Sequence, residues 1–141
     1  MKINLALLLI LLLVPASLAA QGRPFQLEGL EGGSLTSGDF GQGAIIVVVW
    51  ASWSPHCRNI DKGVAAIAER WGSQAEVIMV NFQEDRTEAE AFLAGKQVEV
   101  PVYLDKSGAF SKKYSVTNLP GLLIFKDGNP AFSGKLSRDP D

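Results

Sequence analysis

The chain's only histidine and only cysteine stand side by side at His56 and Cys57, with a serine ahead of them at Ser54. The segment Trp53-Ser54-Pro55-His56-Cys57 thus gathers a hydroxyl, an imidazole and a thiol, the ingredients of thiol exchange or nucleophilic catalysis. Thiol chemistry runs through the thiolate, and a helix start favours it, because the helix dipole and free N–H groups stabilise negative charge. The segment carries the signals of such a start: Ser54 is a good N-cap, Pro55 suits the first helical position, and Cys57 falls at the third. Three readings of Cys57 stay open: an inert buried thiol, a monothiol forming mixed disulfides, or one half of an intermolecular disulfide. The default for His56 is a partly exposed residue at the helix start. No metal or other cofactor is expected, since no Cys/His/Asp cluster joins His56 and Cys57 to complete four ligands.

The elements that must position this segment are legible around it. Ala44 to Trp50 (AIIVVVW) is a continuous apolar run, the pattern of a strand covered on both faces. The helix opening at Ser54 carries Cys57, Ile60, Val64, Ile67 and Trp71 on one apolar stripe, and Gly72 ends it. Glu76 to Phe82 (EVIMVNF) is a second buried strand. Thr87 with Glu90 reads as a capping box opening a helix that runs to about Ala94. Val100 to Leu104 is a short strand and Ala109 to Tyr114 a short helix. Gly121 to Phe125 and Pro130 to Ser133 form a hairpin around Lys126-Asp127-Gly128-Asn129. Before all of these, Phe25, Leu27 and Leu30 suggest a short edge strand, followed by a glycine-rich approach from Gly29 to Gly43. Strands alternating with helices, closed by a hairpin, predict an α/β fold with a central mixed sheet flanked by helices.

With 141 residues the chain suits one domain, assigned to 21–141. Residues 1–20 read as a secretory signal peptide: Lys2, an apolar stretch from Leu5 to Val14, then the small residues Ser17, Ala19 and Ala20. That stretch is short for a membrane span, which needs roughly 20 residues. No span is therefore expected once the leader is cleaved, although its retention as an anchor stays open. The implied location is the periplasm or the cell exterior, where an unpaired Cys57 is unusual. The net charge is −2, and losing the leader removes only Lys2, so nucleic acid is not an expected partner.

The run VVVWASWSPHC resembles the strand–loop–helix of the thioredoxin superfamily, whose usual motif is W-C-x-x-C. Trp50-Ala51-Ser52-Trp53 resembles the exported TlpA/ResA-like branch. Val100 to Asp105, Tyr114 to Pro120 and Phe125 to Gly128 follow in that family's order. The resemblance implies a thioredoxin-like fold and a cis peptide bond before Pro120, turning the Leu119 backbone toward the motif where an extended substrate segment pairs with it. It also implies that Trp53 belongs to the substrate-facing surface, that Cys57 is largely buried, and that the position of His56 tunes the neighbouring thiolate. The family usually closes with a helix after the final hairpin. Lys135 to Asp141 offer few apolar residues for one, so the fold is expected to lack it.

Measured against this family, the motif is degenerate. The attacking cysteine's position holds Ser54, and an alcohol stays protonated at neutral pH and forms no disulfide. A buried Asp often stands six residues before that position, where this chain has Val48, and the TlpA/ResA branch often has a Glu at the position of Ile60. The expected function is that of an exported, weakly active or non-catalytic module holding an extended peptide or envelope protein through Trp53, Leu119 and Pro120. The alternative is a thiol–disulfide oxidoreductase acting through Cys57 with a partner's thiol.

Overall fold

The computed structural model describes residues 24–137, so the leader assigned to residues 1–20 lies outside the described residues. The strands are β1 (Gln26–Gly29), β2 (Ser34–Thr36), β3 (Ala44–Trp50), β4 (Glu76–Phe82), β5 (Val102–Asp105), β6 (Gly121–Lys126) and β7 (Asn129–Lys135). The helices are α1 (Ile60–Trp71), α2 (Arg86–Leu93) and α3 (Ala109–Lys113). One sheet runs β2-β1-β5-β4-β3-β6-β7, with β3, β4 and β5 parallel and the outer pairs antiparallel. This is the mixed sheet with flanking helices that the sequence predicts.

The period-2 alternation of β3 decides what covers each face. Ile46, Val48 and Trp50 pack in one buried cluster with Ile60, Val64 and Ile67 of α1 and Ala89 of α2. Ile45, Val47 and Val49 join the other cluster, with Phe40, Phe110 of α3 and Phe125. A buried aliphatic side chain contributes about 1.5–3 kcal/mol, so this two-sided burial fixes β3, and with it the start of the motif.

Several boundaries differ from expectation. The helix expected from Ser54 is broken: Pro55–Cys57 is a single 3₁₀ turn, and α1 begins only at Ile60. Cys57 N donates to Ser54 O at 3.0 Å, which closes that turn, and Asn59 (φ −110°, ψ 35°) interrupts the helical backbone. Trp71 ends the stripe 38% exposed, beside Arg70, whose guanidinium carbon lies 5.4 Å from the ring centroid. Asp85, rather than Thr87, caps α2: its carboxylate accepts from Glu88 N at 2.9 Å, while Glu88 accepts from Asp85 N at 3.2 Å. The glycine-rich approach contains β2, which takes the sheet edge expected of β1. β5 starts at Val102, because Pro101 has no N–H for the ladder, although its carbonyl accepts from Met79 N at 2.9 Å.

The hairpin turn forms where expected. Asp127 and Gly128 both have positive φ (48° and 82°), the requirement of a tight two-residue turn. Among the described residues, no helix follows β7.

Candidate functional site

β3 delivers the chain to the site through Trp50 and Ala51, both fully buried. The loop then turns outward, leaving Trp53 62% exposed, and back inward, so that Ser54 is only 6% exposed. Trp53 keeps one aromatic contact, edge-to-face with Phe82 at the end of β4, with ring centroids 6.4 Å apart. Pro55 and His56 are exposed on the 3₁₀ turn, and Cys57 points into the core beneath α1 with no exposed surface.

The Leu119–Pro120 peptide bond is cis, as the resemblance implies. Ser54 Oγ donates to Leu119 O at 3.2 Å, so the serine joins the motif turn to the proline loop. That bond replaces the side-chain cap expected of Ser54, which caps no N–H of its turn. Pro120 is buried and Leu119 half-buried. Between the two loops lies an open groove of about 430 Å³, formed by Trp53 to His56, Phe82 and Val116 to Leu119. Five of the seven site residues read from the sequence line it (Trp53, Ser54, Pro55, His56, Leu119), whereas Pro120, expected to hold a partner, is buried and does not. Cys57 does not reach it.

The thiol is held in its neutral form. Burial pushes the Cys57 pKa up and the negative charge of Glu84 adds to this, opposed by hydrogen bonds from the Ala51 backbone and the Ser54 side chain. At neutral pH the nucleophilic thiolate is therefore depleted below that of a free cysteine.

Sequence reasoning missed Glu84. It is 5% exposed, and its carboxylate accepts from Ser52 N at 2.9 Å, from Ser52 Oγ, and from Asn81 Nδ2 at 2.6 Å. The signal was Asn81, a polar residue in the otherwise apolar run Val77 to Phe82, since a fully buried amide demands partners. Asn81 pairs in register with Trp50, and both Asn81 Oδ1 and Trp50 Nε1 are buried with no protein hydrogen-bond partner. Among the described residues, no group of three His, Cys, Asp or Glu converges on a point that could hold a metal ion.

The sheet order, the flanking helices and the cis-proline beside the motif turn define a thioredoxin fold. Solved structures agree. A protein assigned as a thiol:disulfide interchange protein DsbE from Chlorobium tepidum superposes with a TM-score of 0.69 at 23% identity, covering 80% of this chain and 81% of that one. The exposed lipoprotein thioredoxin Etrx1 of Streptococcus pneumoniae gives a TM-score of 0.72 at 20% identity, covering 84% and 93%. The family model described as AhpC/TSA matches residues 19–129, and the chain belongs to that family. Thioredoxin 1 of Synechococcus elongatus is 26% identical over 84 residues, a match spanning 60% of this chain and 58% of that thioredoxin, less than two thirds of its length. The resemblance read from the order of the motifs thus holds at the level of superfamily and redoxin branch.

Proposed function

We propose that this protein is an exported thioredoxin-fold module that descends from thiol–disulfide oxidoreductases and holds an extended, uncharged segment of an envelope protein without turning over disulfides. The observation that carries this is the arrangement of the motif: a buried alcohol stands where the attacking thiol belongs, and the one thiol is sealed in the core with its pKa raised. Mixed-disulfide formation starts with an exposed thiolate, which neither Ser54 nor Cys57 offers. The groove beside it is intact. Its lining is apolar apart from the hydroxyl, amide and imidazole groups of Ser54, Thr117, Asn118 and His56, and it includes no carboxylate, lysine or arginine. An extended segment with apolar side chains and a free backbone suits such a surface. Export is supported by the leader pattern at residues 1–20, and an envelope location by the exposed lipoprotein among its structural neighbours.

Reduction of insulin by dithiothreitol tests this reading. The wild-type chain is expected to stay at the uncatalysed rate, while Ser54→Cys, restoring the first thiol, raises it. Wild-type turnover near that of Ser54→Cys, abolished by Cys57→Ala, would establish instead an oxidoreductase working through Cys57 alone.

A further inference from the structure

We propose that Glu84 is a positioning residue for the groove: it fixes Ser52 so that Trp53 is presented to the partner in one orientation. The inference rests on the peptide-holding reading above and names how that surface is held.

Three observations converge on it. The first is the set of contacts. Ser52 N–H, Ser52 O–H and the Asn81 side-chain N–H all point at one carboxylate that is 5% exposed. A buried carboxylate is costly unless hydrogen bonds compensate, and only an acceptor without donors of its own takes all three. A glutamine of the same shape offers one acceptor oxygen and turns an NH₂ toward donors. The second is the adjacency of two clamps. Phe82 lies against Trp53, and Glu84 holds Ser52, so neighbouring residues of the loop are each fixed by the end of β4.

The third is the backbone between the clamps. Gln83 adopts φ 55°, a left-handed conformation that a residue with a side chain adopts at a cost. The turn brings Glu84 back under the loop, and the surroundings hold it there. Gln83 N donates to Asp105 O at 3.0 Å, and Gln83 Nε2 donates to Ser107 O at 3.3 Å. The Gln83 side chain also lies against Gly108, where a Cβ would come within 2.8 Å of Nε2. A carboxylate serving only to fill the core needs none of this. Here its bonds go to the residue next to an exposed tryptophan, and they set where that ring stands.

The test is fluorine NMR of the chain labelled with 5-fluorotryptophan, with the Trp53 signal assigned by its loss in Trp53→Phe. The Trp71 signal is the internal control, and binding is read on an immobilised array of cysteine-free peptides. In Glu84→Gln the Trp53 signal is expected to shift and broaden, the Trp71 signal to stay, and capture to weaken about tenfold, the scale of losing one anchored contact. Should Glu84→Gln fail to fold, Ser52→Ala removes one of the three donors, keeps the backbone N–H bond, and is expected to move the same signal less. A Trp53 signal unchanged in both variants overturns the proposal, even if Trp53→Ala abolishes capture and so upholds the groove. A Trp53 signal that moves in Glu84→Gln, with capture indifferent to both Glu84→Gln and Trp53→Ala, upholds the positioning and overturns the groove reading instead.

Discussion

Trp50 and Trp53 lie on the same short passage from β3 into the motif, and the fold treats them in opposite ways. Trp50 is fully buried and stacks on Phe92 of α2 with ring centroids 5.2 Å apart. Trp53 stands in solvent against the edge of Phe82. The same division keeps Cys57, enclosed with Trp50 in the α1-side cluster, out of the groove, while Leu119 packs against that cluster and lines the groove. On the core side of this loop stand a thiol with no exposed surface and the aliphatic residues Val48 and Ile60, all buried. On the groove side the shape is retained and tied down by Glu84 and by the Ser54–Leu119 bond. On the proposed reading, the scaffold of a thiol–disulfide site and its reactivity are carried by different residues.

The contrast predicts two very different tryptophan variants. Trp50→Ala removes a large buried side chain and is expected to cost about 3–5 kcal/mol of stability. Trp53→Ala, on an exposed ring, is expected to stay within about 0.5 kcal/mol of wild type while abolishing peptide capture. Urea unfolding read by circular dichroism measures both. A Trp53→Ala variant as unstable as Trp50→Ala would erase the distinction and make Trp53 a core residue.

Much of this arrangement is legible in the sequence, for identifiable reasons. β3 and β4 match their predicted bounds because a run such as AIIVVVW has one inexpensive solution, burial on both faces. The hairpin at Asp127-Gly128 follows from residues with few conformational options, whereas the cis bond at Pro120 is legible only through the family resemblance. What escaped depends on contacts distant in the chain. Ser54 has the features of an N-cap, yet its hydroxyl is claimed by Leu119, 65 residues away, which local spacing does not reveal. Glu84 reads as one more acid in the polar stretch Gln83-Glu84-Asp85-Arg86, and only the fold places it beneath Ser52. Even Asp85 outcompetes Thr87 as a cap by one registration choice that sequence preference alone leaves balanced.

A variant on the proline side sharpens the comparison, because it asks whether the groove is held rigidly or merely left open. Gly121 follows Pro120, and a Cβ there would lie 2.9 Å from Asn118 O and 3.0 Å from Val116 Cγ1. Asn118 and Val116 both line the groove, so the strain falls on its wall. Gly121→Ala is expected to cost about 1–3 kcal/mol, as overpacking does, and to weaken capture as well. Unfolding and array binding measured on one preparation separate the outcomes. Lost stability with unchanged capture would mean that this wall adapts freely and that the groove's shape is not held from the proline side.

The smallest effect is expected at Glu28 on β1, which does not line the groove. Lys106 Nζ donates to its carboxylate at 2.7 Å and Arg86 Nη2 at 2.6 Å, while Arg86 also bonds the carbonyls of Gly29, at 3.0 Å, and Leu30. Chiefly through the Lys106 bond, then that of Arg86, the Glu28 pKa is lowered to about 2. A carboxylate with a lowered folded-state pKa stabilises the fold above its ordinary titration range, and that contribution fades as pH falls toward the folded value. Wild type is therefore expected to melt slightly above Glu28→Gln at neutral pH, with the gap closing between about pH 4.5 and about pH 2. Solvent exposure and salt screening keep the gap small. Thermal melts across that range at low ionic strength measure it, and peptide capture at neutral pH should be identical in the two proteins. Capture that falls in Glu28→Gln would tie β1 to the groove and contradict the separation between the region that carries stability and the region proposed to meet a partner.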